Sequence, residues 1–205
     1  NNGITINFNG TKMQAKNGLL DLLEHNLNGN GPVRYSIIHI REGDFECAFS
    51  HSSRSYSEEY FSFVNGQHTT QGGTHQTAFR EAIVKTIREF YNKDFDTSDI
   101  RSSIIAAISI KVQEPVFESQ TKTKLGNSEV SGAVDQAVGE MLNNYLEENQ
   151  NQAKAIINKV VIAAQARHAA RKVREMVQRK GVMSGMGLPG KLSDSSDKEP
   201  GSCEI

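Results

Sequence analysis

The 205 residues include no tryptophan, four prolines and only two cysteines. Cys47 and Cys203 stand far apart with no companion at metal-ligand spacing, which leaves no thiolate metal site, and a reducing, cytoplasmic setting is expected. The longest apolar run, around IIAAISI at 104–110, falls far short of the ~20 residues that span a bilayer, so no membrane partner is expected. The N-terminus has none of the charged and apolar regions of a signal peptide, and it opens at NNGITINFNG without a methionine, as an excised fragment would. Also missing are a Walker A loop, a Gly-x-Ser-x-Gly elbow and a Gly-x-Gly-x-x-Gly fingerprint; Gly72-Gly73 alone signals none of them. His68 and His75 flank that glycine pair without Cys, Asp or Glu at a ligand spacing, so they read as polar loop residues and no metal site is expected. These absences leave a chain without the equipment of a self-contained enzyme.

What is present suffices for a folded domain. Hydrophobic residues make up 37% and charged residues 23%, within the globular range, and the length allows one large domain or one domain with an extension. The net charge of −1 hides an asymmetry, because residues 151–180 hold Lys154, Lys159, Arg167, Arg171, Lys172, Arg174, Arg179 and Lys180 against one acid, Glu175. That segment carries +7 and the rest of the chain −8, so the stripe attracts polyanions or an acidic protein face.

Periodicity sets out the elements. Leucines at 19, 20, 22, 23 and 27 predict a short amphipathic helix ending near Gly29. VRYSIIHI (33–40), FECAFSH (45–51) and YFSFVNG (60–66) are rich in β-branched and aromatic residues and read as an antiparallel meander. HTTQGGTH breaks it, with Thr74 as N-cap of a helix whose Phe79, Ile83, Ile87 and Phe90 recur every three to four residues. A loop or short helical turn from 96 to 99 leads to a buried strand at 104–112. Beyond the hydrophilic ESQTKTKLGNSEV (118–130), Val130, Val134, Ala137, Val138, Met141, Tyr145 and Leu146 line a helix capped by Asn127 or Ser128. Residues 149–151 interrupt it, and Ile156, Ile157, Val160, Ala164, Val173, Met176 and Val177 then mark a long helix to Lys180, about 40 Å if unbroken. The tail is rich in Gly, Ser, Pro and charge. The expected divisions are 1–150, a long basic helix at 151–181 and a linker at 182–205.

Gln120, Lys122 and Lys124 sit in the hydrophilic loop between the buried strand and the following helix. Lysine is a compact charge on a flexible stem, suited to a transferring phosphoryl group, and a glutamine beside it adds a neutral donor. By spacing alone Gln-Thr-Lys-Thr-Lys is more often a solvated turn, and the basic helix has the pattern of any charged surface helix. A stand-alone DNA-binding module using that helix is the competing reading.

Four motifs in order narrow the choice. QGGTHQTAFREA (71–82), EPVFESQTKTKLGNSEV (114–130), AKAIINKVVIAAQARHAARKVREMVQRKG (153–181) and LPGKLSD (188–194) resemble the GyrB/ParE-type chain of bacterial type II DNA topoisomerases over nearly the whole length. The resemblance is to the transducer region between the ATP-binding and TOPRIM domains of gyrase B and its topoisomerase IV counterpart. FSFVNGQHTTQGGTH is worded more like the topoisomerase IV branch. The resemblance implies an α+β fold of the ribosomal protein S-five-like kind: a mixed sheet with helices on one face and a left-handed βαβ crossover, against the usual hand, followed by a long C-terminal helix toward the cleavage core.

It also implies roles. Gln120 and Lys122 match the family's Gln-Thr-Lys loop, which reaches the ATP site of the preceding domain; this makes Lys122 the catalytic γ-phosphate contact, with Gln120 beside it. Arg80, in TAFREA, matches an arginine lining the cavity for transported DNA, and Arg167, Arg171, Lys172 and Arg174 of the basic stripe are further expected DNA contacts. ATP and Mg2+ are implied for the full-length protein, with no cofactor on this piece, which alone is expected neither to hydrolyse ATP nor to cut DNA. The implied partners are DNA and the DNA-cleaving gyrase A-type chain, in a nucleoid-associated heterotetramer with two copies of each. Lys124 has no assigned role.

Overall fold

The computed structural model describes residues 5–30 and 32–184. The chain opens on a hairpin that periodicity did not disclose, β1 (Thr5–Phe8) and β2 (Thr11–Gln14), joined by Asn9-Gly10. Both turn residues have positive φ, 47° and 82°, which an Asn-Gly pair adopts with little strain and which matches the twist of the flanking strands. Then comes α1 (Leu19–Asn30), which ends near Gly29 as the leucine spacing predicts.

β3 (Ile38–Glu42) and β4 (Phe45–His51) pair antiparallel with Ile38 opposite Phe49. β5 (Glu59–Val64) and β6 (Gln67–His68) pair across a second Asn-Gly turn, Asn65-Gly66. After them the chain forms α2 (Thr74–Tyr91), α3 (Thr97–Arg101), β7 (Ile104–Ile110), α4 (Val130–Glu148) and α5 (Gln150–Ser184).

The expected meander does not form. Strand order is β3-β4-β7-β5-β6, with β7 inserted antiparallel to β4 and parallel to β5. The cause lies in IIAAISI, buried at six of its seven positions: a strand apolar toward both faces is stable only where both faces are covered.

Alternation along β7 then feeds two cores. Ile104, Ala106, Ile108 and Ile110, with Phe45, Cys47 and Phe49 of β4, meet Phe79 and Ile83 of α2, Val134 and Leu142 of α4, and Ile156 and Val160 of α5. Ile105 and Ala107, with Ala48, point the other way onto Leu19, Leu23 and Leu27 of α1. Helices therefore cover both faces of the mixed sheet. This corrects the expected one-faced arrangement: the second face is apolar too, and its small Ala48 and Ala107 let α1 pack closely.

Helix ends differ in detail from the sequence expectation. Thr74 is the first residue of α2; Gly73 holds the cap position, and Thr74 Oγ1 is buried without a partner. Glu129 takes the cap position of α4, because the Asn127 side chain is used elsewhere: it accepts from Val116 N–H at 2.6 Å and donates to Glu114 O at 3.1 Å. Within α4, Leu142 is fully buried, whereas Met141, placed on the buried stripe by spacing, is 36% exposed. Asp96 caps α3, accepting from Ser98 N–H at 2.8 Å. Asn149 alone separates α4 from α5.

Residues Asn1–Ala163 form one compact unit and those from Ala164 a second. The opening turns of α5 belong to the first. Ala153, Ile156 and Val160 are buried there, and Lys159 Nζ donates to Asp99 O (2.9 Å), Ile100 O (3.0 Å) and Ser102 Oγ (3.1 Å) at the end of α3. Along residues 165–178 every side chain is exposed, Val173, Met176 and Val177 included, and α5 continues through Gly181. The tail from 185, with LPGKLSD, lies outside the described residues.

Candidate functional site

The lysine loop rises from a braced base. Gly126 N–H donates to Val116 O (2.8 Å) and Glu118 N–H to Lys124 O (3.1 Å), with Phe117 bridged to Leu125. Between these arms Lys122 N–H closes a tight turn onto Ser119 O at 3.1 Å, and Lys122 itself has φ of 54°. Gln120 and Lys122 are exposed at this tip. Lys122 Nζ stands 6.0 Å over the Phe117 ring and forms no ion pair among the described residues. Lys124 differs. Its ammonium pairs with Glu118 at 2.8 Å across the base of the turn, giving it a structural use that sequence spacing did not disclose.

The base is fastened to the start of α2. Gln71 N–H donates to Thr123 O (2.9 Å), Leu125 N–H to Gly72 O (3.1 Å) and Thr74 N–H to Leu125 O (3.1 Å). Gly73 has φ of 137°, and a Cβ there would lie 2.5 Å from both the backbone N and O of Leu125. Only glycine permits that approach, so QGGTH and QTKTK, about fifty residues apart, form one local structure.

Arg80 lies nearly two turns along α2 and is already engaged. Its Nη2 is 2.9 Å from Glu58 Oε2, and its guanidinium lies 5.5 Å from the centre of the Tyr60 ring. Tyr60 OH donates to the same carboxylate oxygen at 2.9 Å, and Arg101 Nε stands 3.3 Å from Glu58 Oε1. Burial, with the neighbouring Glu58 charge, holds the Tyr60 hydroxyl protonated well above its ordinary range. Arg80 and Arg101 edge a cleft of about 400 Å³ with Lys85, Arg88, Glu81 and Glu89. Within it Lys85 pairs with Asp135 at 2.8 Å and Arg88 donates to Phe95 O at 2.6 and 2.9 Å. Glu58 and Arg101 were missed by sequence reasoning, since only the fold brings a residue before β5, one on α2 and one closing α3 to the same point.

Arg167, Arg171, Lys172 and Arg174 are all exposed on α5. Positions 167, 171 and 174 recur on one helical face, where Arg171 Nε pairs with Glu175 at 2.9 Å. His75 is not a loop residue as expected. It belongs to the first turn of α2, is fully buried with both ring nitrogens unpartnered, and desolvation drives its pKa down to about 4. His68 is on β6, stacked on Phe63 with ring centres 5.1 Å apart. No three His, Cys, Asp or Glu among the described residues could together hold a metal.

A five-stranded mixed sheet between helices, carrying an exposed lysine turn, defines an α+β domain of the kind found in gyrase B ATPase structures. The crystal structure of the 43K ATPase domain of Thermus thermophilus gyrase B, in complex with an aminocoumarin, aligns with a TM-score of 0.70 at 32% identity, covering 82% of this chain and 49% of that one. The protein-family model for DNA gyrase B matches residues 17–176, and the chain belongs to that family, which takes in gyrase B and its topoisomerase IV counterparts among the type II topoisomerases. Its relatives include the DNA gyrase B protein of Cytophaga aurantiaca, 58% identical over 160 residues that make up 74% of this chain and 34% of that protein. The corresponding DNA topoisomerase 4 protein of Borreliella burgdorferi is 40% identical over 194 residues, 95% of this chain and 32% of that protein. The chain thus spans about a third of the length of these curated relatives.

Proposed function

We propose that the chain is the transducer region of an ATP-dependent type II topoisomerase, coupling nucleotide binding in a neighbouring ATP-binding domain to DNA strand passage. The observation that carries this reading is Lys122: an exposed cation on a turn braced against α2, with no ion pair among the described residues. Its ammonium would meet the γ-phosphate, neutralising charge that develops on phosphoryl transfer, with Gln120 as a second donor. Loss of that phosphate removes the partner of Lys122, which biases a two-state arrangement of neighbouring domains. In this reading the domain is of the ribosomal protein S-five-like kind with a left-handed crossover. The assembly joins two copies of the gyrase B-type chain to the DNA-cleaving gyrase A-type chains, on DNA in the nucleoid.

ATP supplies the phosphoryl group when bound in the longer protein, and Lys122 and Gln120 are this chain's contribution to holding it. By itself the chain is expected neither to hydrolyse ATP nor to cut DNA.

In the longer protein with its ATP-binding domain, Lys122→Ala is expected to lower ATP hydrolysis about a hundredfold while leaving DNA affinity unchanged. Weakened DNA binding with normal hydrolysis would instead favour a DNA-binding module built on α5. Of the two branches, FSFVNGQHTTQGGTH favours topoisomerase IV, while the gyrase relative has the higher identity. Assaying the reconstituted enzyme for decatenation against supercoiling chooses between them.

A further inference from the structure

Glu58 has unusual company for a carboxylate near the surface. Two guanidiniums from different helices and a tyrosine hydroxyl converge on it, and its side chain is only 25% exposed. The cradle is imperfectly filled. Arg101 Nε approaches Oε1 as an ion pair without the alignment of a hydrogen bond, and Arg80 Nε is likewise buried without an acceptor. Each leaves an N–H donor desolvated and unused, which is unfavourable and which an anion with more oxygens would relieve. A tetrahedral phosphate matches two guanidinium forks better than one planar carboxylate does.

The surroundings favour a polymer over a single phosphate. Arg80, Val84 and Arg88 follow at i, i+4 and i+8 on the face of α2 that lines the cleft, so its cations extend about 12 Å along the helix. Its lining holds four cations with two carboxylates, Glu81 and Glu89, and the cations pair with acids at its margin, Arg80 and Arg101 with Glu58, Lys85 with Asp135 and Arg88 with Asp94, so a polyanion would compete with carboxylates for each of them. Duplex DNA presents a phosphate on each strand every ~3.4 Å of helix axis, so a cleft of this length is long enough for more than one.

We propose that Arg80 and Arg101 form a two-arginine seat for a backbone phosphate of duplex DNA, which Glu58 occupies as an internal stand-in until the phosphate displaces it. The proposal rests on the reading of Arg80 as a DNA contact; it adds Arg101 as a second contact and Glu58 as the competitor that lowers affinity in the free protein. Displacement exchanges one anion for another at the same pair of guanidiniums, so the bound state keeps both arginines neutralised.

The test is the affinity of this chain for a short duplex across a salt series, for the Arg80→Ala, Arg101→Ala and Glu58→Gln variants. Each arginine variant is expected to weaken binding, and loss of both to reduce the slope of log K against log salt by about 0.9, the share of the one phosphate they hold. Glu58→Gln is expected to tighten binding about fivefold at low salt, the ratio that two partly exposed ion pairs represent. If Glu58→Gln destabilises the fold, Glu58→Asp, too short to reach both arginines, is expected to tighten binding in the same direction. Unchanged or weaker binding by the folded Glu58 variants, with Arg80→Ala still weakened, overturns the stand-in role alone. An Arg80→Ala variant that binds like the parent overturns the reading of Arg80 beneath it, and the proposal with it.

Discussion

His51 and His75 show how burial fixes a protonation state. His51 Nε2 lies 2.8 Å from Ile100 O, which can only accept, so Nε2 carries the proton and Nδ1 accepts from Tyr35 OH at 2.5 Å. Burial, reinforced by the Lys159 charge, drives His51 down to about 3, and burial drives His75 to about 4, both from 6.5. An unfolded chain takes up these protons near the ordinary value while the fold refuses them. Stability therefore falls as pH drops below 6.5, and the loss continues to the folded values. For His75 the loss is on the order of 3 kcal/mol between pH 6.5 and 4. Thermal melts across that window should show the midpoint falling with acid, and more shallowly in His75→Leu; parallel slopes in the two proteins would refute the assignment.

At the scale of elements, the lysine loop and α2 are one construction through Gly73. Gly73→Ala forces a Cβ into the Leu125 backbone, so chemical denaturation should show a loss of at least ~2 kcal/mol; an unchanged midpoint would mean that the contact is not tight. Helix stripes were legible in the sequence: Phe79, Ile83 and Ile87 are buried on α2, and Val134, Val138 and Leu146 on α4. They could be read because period and burial coincide along one element. Strand order could not. IIAAISI reads as buried from its composition, yet nothing local says that it separates β4 from β5, since pairing depends on the path of α2 and α3 between them. The second face was hidden for a similar reason, because Ala48 and Ala107 look unremarkable until α1 lies on them. Around the candidate site, Gln120, Lys122 and Arg80 stand out in the sequence through their motifs, whereas Glu58 and Arg101 carry no local pattern and meet only in three dimensions. Lys124 likewise acquires its partner only through the turn that brings Glu118 across from it.

For the whole molecule, charge is divided by role. The segment 151–180 carries +7 and the remainder −8, and the cleft cations of the first unit are largely matched by their own acids. Lys122 departs from that matching, and the proposed function depends on it. The most direct measurement is the reactivity of Lys122 toward an amine-modifying reagent in the longer protein, read by peptide mass spectrometry, with a non-hydrolysable ATP analogue or with ADP. A γ-phosphate contact predicts that Lys122 is protected by the triphosphate and reactive with the diphosphate, while exposed surface lysines such as Lys154 react equally in both. Equal modification of Lys122 in the two states would contradict the account.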